Sequence, residues 1–112
     1  MLIRCAFFEG RVKPGCDAAF TKFVAERLVP LWTDFPGAAE VRVLRQADSD
    51  TPDPHYAMVL SIGYPDQAAM DLALASEQRA KSRAETAELV KMFEGRIFHT
   101  VFDVAHQAVK SG

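Results

Sequence analysis

His99 is the residue of this 112-residue chain best suited to move a proton. An imidazole titrates near ~6.5, and a well-placed one contributes roughly 10²–10⁴-fold as general acid or base. The competing role is a hydrogen-bonded histidine at a strand edge or a subunit interface. Arg4 carries a planar donor fork that suits a carboxylate or phenolate; a salt bridge near a sheet end would use it equally well. Asp103 follows His99 on the same side of a strand but ~13 Å further along. The two therefore cannot share one metal or pair directly, and Asp103 also fits the point where the strand meets solvent. Trp32, Tyr56 and Tyr64 could line an aromatic pocket with an indole N–H or a hydroxyl as polar handle, or simply pack in a core or interface. His99 is thus the catalytic candidate, and Arg4, Trp32, Tyr56 and Asp103 are candidate ligand contacts.

Other chemistries lack their residues. No glycine loop for phosphates, no Ser-His-Asp set and no paired carboxylates can be found, so no nucleotide cofactor is expected. Cys5 and Cys16 have no Cys or His at metal-ligand spacing, which predicts free thiols in a reducing cytoplasm and no metal. The net charge is −2, with Lys and Arg scattered, whereas nucleic-acid binding needs a basic footprint. No apolar run approaches the ~20 residues that span a bilayer, and Met1-Leu2-Ile3-Arg4 lacks a signal-peptide layout. Neither nucleic acid nor membrane is an expected partner.

The elements that must position these residues follow from periodicity. Apolar residues are 49% and charged residues 25%, ordinary values for one globular domain with one core. Leu2 to Phe8 predicts a first strand, ended by Glu9-Gly10. Asp17 stands where an N-cap belongs, and Phe20, Phe23, Val24, Arg27, Leu28 and Leu31 form one helical face. Pro30 lacks an N–H and costs about 3 kcal/mol in a regular helix, so the helix should kink or loosen there and stop before Pro36-Gly37. Strands are expected over 40–46 and 55–63, separated by a Pro- and Asp-rich turn. Pro65-Asp66 and Ser76-Glu77 open a short helix and then a longer one to Glu94, with Gly95 as a left-handed C-cap. Arg96 to Val104 is the last strand, and 105–112 is a tail.

The order β-α-β-β-α-β is the split βαβ pattern of ferredoxin-like α+β folds, with a four-stranded antiparallel sheet. Two helices cover only one face of such a sheet. No strand has a fully polar side, so the second face should also be covered, most simply by a second copy of the chain. The more polar strand sets, holding Arg4, His99 and Asp103, are expected on that partner-facing side. There they would form a ligand-anchoring group in a cleft between sheet and partner.

Several segments resemble a known family. Val29-Pro30-Leu31 followed by Pro36-Gly37 is similar to the Val-Pro-Leu … Pro-Gly segment of EthD-type proteins. Tyr56-Ala57-Met58-Val59 resembles their third strand, and Ala73-Leu74-Ala75-Ser76-Glu77 their Ala-Ser-x-Glu helix start. The resemblance spans residues 1–104 and implies a dimeric α+β barrel, two sheets facing each other around a cavity. EthD is named for its association with ethyl tert-butyl ether breakdown. The wider superfamily holds isomerases, dehydratases and cofactor-independent monooxygenases, so fold alone does not decide activity. Two departures narrow the field. Where many EthD-like chains have a His before the Pro-Leu pair, this one reads Glu26-Arg27-Leu28-Val29; and it has no Asn, which removes the Asn-Trp-His set of haem-degrading relatives.

The resulting expectation is a cytoplasmic homodimer that binds a small hydrophobic or aromatic molecule, as an accessory in its degradation. The alternative is an oxidoreductase-associated or related enzyme, an isomerase, dehydratase or monooxygenase without cofactor, with His99 as acid/base. A dimerisation module with no pocket is the third reading.

Overall fold

The computed structural model describes residues 1–111; of the expected tail 105–112, Gly112 lies outside the described residues. The first strand, β1 (Leu2–Val12), is longer than its alternation predicts. The last strand, β4 (Phe93–Asp103), supplies the reason. It pairs antiparallel with β1 from Leu2↔Asp103 to Val12↔Phe93, so both strands run past their expected ends. The long helix correspondingly stops short of Glu94. Phe93 is drawn into the sheet instead, buried edge-on against Phe8 with ring centroids 5.7 Å apart.

Gly95 is not a helix cap. It sits opposite Gly10 in the β1–β4 ladder, with φ of +148° and +143° at the two positions. A Cβ on Gly95 would stand 2.0 Å from the Glu9 carbonyl oxygen, and one on Gly10 2.1 Å from that of Glu94. The two backbones cross too closely for any side chain.

The first helical region is continuous but not uniform. It comprises α1 (Asp17–Phe23), a π-helical turn over Val24–Leu28 and α2 (Val29–Thr33). Asp17 is the first helical residue rather than the cap; Cys16 holds the cap position and makes no side-chain hydrogen bond to it. The wide turn comes just before Pro30, which lies at the start of α2. There the missing N–H costs least, and the loosened turn spares the ring a clash with the preceding carbonyl.

Then follow β2 (Glu40–Leu44), β3 (Tyr56–Tyr64), α3 (Gln67–Leu74) and α4 (Glu77–Leu89), the last continued by a 3₁₀ turn over Val90–Met92. Both later helices are capped: Asp66 Oδ1 accepts from Ala69 N at 2.9 Å, and Ser76 Oγ accepts from Arg79 N at 3.2 Å. Each such cap contributes about 1 kcal/mol.

The sheet order is β2-β3-β1-β4, all antiparallel. This is a ferredoxin-like α+β fold. The helices cover the face carrying Ala6, Phe8, Met58, Leu60, Ile62 and Tyr64, and the core lies there, with Phe20, Leu28 and Leu89 fully buried beneath it. On the other face lie Ile3, Cys5, Phe7, Val59, Phe98 and Phe102, and no element of the described chain crosses it.

Candidate functional site

The register overturns one expectation directly. Residues opposite each other in an antiparallel pair share a face. Arg4 stands opposite Val101 and Ile62, and His99 stands opposite Ala6, beside the core residue Leu60. Arg4 and His99, and Asp103 opposite Leu2, therefore belong to the helix-covered face and not to the open one where all three were expected. The cleft that Arg4 and His99 line lies between the sheet and the helices of one chain.

Its cause is a run of small side chains. Ala6 is the floor, between Arg4 and Phe8, and above it α4 turns Ser82, Thr86 and Ala87 inward. Helix and sheet cannot interdigitate there as they do at Leu28 or Met58, and a cavity of about 540 Å³ remains. Trp32 and Phe35 add aromatic lining. The π-helical turn and Pro30 set the position of Trp32, which is only 3% exposed. On the outside, Arg27 of the π-helical turn pairs with Glu85 of α4 at 2.7 Å and ties the two walls together. Both side chains are partly solvated, so the tie is worth at most about 1 kcal/mol.

The polar groups of this cavity share one sign. Arg4 from β1 and Arg79 and Arg83 from α4 line it together with His99 and Tyr64, and no carboxylate does. None of the three arginines belongs to an ion pair among the described residues. Among the described residues the Arg79 guanidinium donates only to the Leu74 carbonyl, at 3.3 Å. Burial lowers the pKa of the Arg4 guanidinium, and repulsion from Arg79 lowers it further.

His99 lines the cavity as an exposed residue that is still partly desolvated by its surroundings. That desolvation pulls its pKa below the ordinary 6.5, and Arg4, Arg79 and Arg83 push in the same direction. The lowered pKa favours the uncharged imidazole, the form able to accept a proton. The Tyr64 phenol is raised by burial, which Arg4 and Arg79 partly oppose. Tyr64 is 1% exposed. Among the described residues its hydroxyl has no protein partner, yet no fully buried side-chain polar atom lacks one, so the hydroxyl opens onto the cavity.

Of the residues singled out from sequence, the cavity gathers Arg4, His99, Trp32 and Tyr64 and omits two. Asp103 lies opposite Leu2 at the exposed end of β4, beyond ion-pair distance of Arg4. Tyr56 is turned to the other face by a bulge: the pairing Phe8↔Met58 is followed by Glu9↔Tyr56, leaving Ala57 as the extra residue. Its ring packs 5.6 Å from Phe7, which in turn stacks on Phe98 at 5.0 Å.

Arg79 and Arg83 are the additions. Their signal was present in the sequence: like charges at i, i+4 destabilise a helix by about 0.2–0.5 kcal/mol, and this pair shares its helix side with Ser82 and Thr86. Among the described residues no cluster of His, Cys, Asp and Glu could hold a metal ion, and no helix is long and apolar enough to cross a membrane. Cys5 is buried and Cys16 half-buried, both unbridged.

No protein-family model matches the sequence, and neither does any curated protein. Solved structures do. An ethyl tert-butyl ether D (EthD) family protein from Bacillus halodurans superposes with a TM-score of 0.69 at 17% identity, over 92% of this chain and 97% of that one. SnoaB, a cofactor-independent oxygenase from Streptomyces nogalater, gives 0.67 at 18% identity, over 97% of both chains. An antibiotic biosynthesis monooxygenase gives 0.64 at 20% identity, over 95% of this chain and all of that one. This chain has their ferredoxin-like α+β fold. Within that fold the likeness is one of architecture, and the cavity has to be read from its own residues.

Proposed function

We propose that this protein binds a small hydrophobic or aromatic molecule in the cavity between β1, β3, β4 and α4, as an accessory in the degradation of such compounds. The observation that carries this reading is the cavity itself: about 540 Å³, lined by apolar residues such as Ala6, Phe8, Trp32 and Phe35 together with a few polar groups. Small-molecule sites have this composition and size. The chain acts as a homodimer in a reducing cytoplasm, the open sheet face covered by a second copy. Phe102 and Leu44 are 48% and 46% exposed on that face, which they share with the Phe7–Phe98 stack. Burying them against an identical surface removes apolar area from water.

A second reading rests on the uncharged His99 beside three cations. A base in that position can take a proton from an acidic C–H or O–H, and the arginines stabilise the oxyanion that forms. This supports a cofactor-independent isomerase, dehydratase or monooxygenase with His99 as acid/base, Arg4 and Trp32 as ligand contacts, and Tyr56 and Asp103 outside the cavity.

Native mass spectrometry of freshly purified protein tests the first reading. The expected result is a dimer carrying extra small-molecule mass. A clean monomer would remove the role assigned to the open face. A bare dimer that also fails to take up any aromatic compound added to it would count against the pocket. A bound compound turned over by the wild type and not by His99→Ala would favour the enzyme.

A further inference from the structure

We propose that the ligand of this cavity carries an anionic oxygen group, so that the substrate class is an organic acid with a flat apolar body rather than a neutral hydrocarbon or ether. The inference rests on the binding reading above and adds the charge of the ligand.

Three observations converge on it. Arg4, Arg79 and Arg83 reach the cavity from two different elements, β1 and α4, and no acidic side chain lines it. Every salt bridge among the described residues engages other cations, namely Arg27, Arg42, Lys81, Lys91 and Arg96. Tyr64, almost wholly buried, adds a hydroxyl without a protein partner on the same side.

Arg4 and Arg79, both half-buried and without a counter-charge, repel each other, and their partial burial weakens the solvent screening that would relieve them. The cost falls on the folded chain whenever the site is unliganded. A carboxylate between Arg4 and Arg79 offsets it, because the guanidinium fork matches two carboxylate oxygens, and the Tyr64 hydroxyl can donate to the same group. Arg83, exposed at the mouth, attracts the anion during entry. The apolar body then lies over Ala6 towards Trp32. A neutral ligand of the same shape would gain the apolar contacts and leave the arginines uncompensated.

The test compares 2-naphthoate with 2-naphthamide, which share shape and differ in charge. The full chain is titrated at low salt, and binding is read by quenching of Trp32, the single tryptophan, and by displacement of neutral N-phenyl-1-naphthylamine. The acid is expected to bind at least tenfold more tightly than the amide. That preference should shrink as salt is raised and fall towards unity in the double variant Arg79→Gln, Arg83→Gln. Lys81→Gln, on the same helix but outside the cavity, should retain it. Arg83 is exposed, so Arg83→Gln alone keeps the test informative if the double variant does not fold, with a smaller loss of preference expected.

Equal binding of acid and amide would overturn the anionic class and leave the pocket reading intact. An equal loss of preference in Lys81→Gln would overturn it as a non-specific charge effect. If neither naphthalene binds and N-phenyl-1-naphthylamine does not bind either, the small-molecule reading falls, and this inference with it.

Discussion

His99 reports the field inside the cavity through its proton. Desolvation first, and then Arg4, Arg79 and Arg83, hold its folded-state pKa below the ordinary 6.5. These three arginines are the charged groups that act on it, and Tyr64 lines the same cavity. Between about pH 5 and 7 the unfolded chain binds more protons at this residue than the folded one, so stability is lost as pH falls from about 7 through the folded-state pKa. Thermal unfolding of wild type and His99→Gln at pH 7 and pH 5 should therefore diverge. The wild type should lose more of its midpoint on acidification than the variant; an identical loss would mean that His99 feels no such field. Arg4 and His99 could be paired from sequence because the first and last strands of this topology are neighbours. Their face could not. Alternation says which residues lie together and leaves open which side the helices take.

At the scale of elements, the close crossing of β1 and β4 at Gly10 and Gly95 is the most constrained contact in the sheet. A methyl group on Gly95 would stand 2.0 Å from the Glu9 carbonyl oxygen, and the backbone there holds φ +148°. Gly95→Ala should destabilise the chain by about 1–3 kcal/mol, the usual range for overpacking, measured by urea denaturation. An unchanged midpoint would show that the strands can separate there at no cost. This crossing also marks where the sequence pattern misleads. A glycine soon after an amphipathic helix looks like a cap, and only its strand partner reveals a close approach. Tyr56 was misplaced for a similar reason, since counting by twos cannot see the bulge at Ala57. Pro30 was legible, because a missing N–H disturbs a helix in any context.

For the whole molecule the open sheet face is the main surface that no element of the described chain covers. Phe7, Phe98 and Phe102 line it, and Arg96 caps the stack with its guanidinium 4.7 Å from the Phe98 ring centre while pairing with Glu9 at 2.6 Å. If a second copy covers this face, Phe102→Asp places a charge in a dry interface. The variant should then elute at monomer mass in size-exclusion chromatography with light scattering, while the wild type elutes as a dimer. A dimeric variant would mean that the face is not the interface. Because the cavity lies on the opposite side of the sheet, a folded monomeric variant should still quench Trp32 with the same aromatic acids. Loss of binding together with loss of assembly would instead mean that the second copy helps shape the cavity.

Sequence alone determined the order of elements, their capping at Asp66 and Ser76, the loosening at Pro30 and hence the ferredoxin-like sheet. Those features depend on local rules: hydrogen-bonding capacity, backbone freedom and the periodicity of apolar side chains. Tertiary structure decided which face of the sheet holds Arg4 and His99, that Arg79 and Arg83 join them, and that Tyr56 and Asp103 do not. The face and the loss of Tyr56 follow from strand register and the bulge at Ala57, while the gathering of the charges depends on how far α4 stands from the sheet. Small residues on both sides, Ala6 below and Ser82, Thr86 and Ala87 above, keep the two layers from interlocking, and the charges gather in the space that remains.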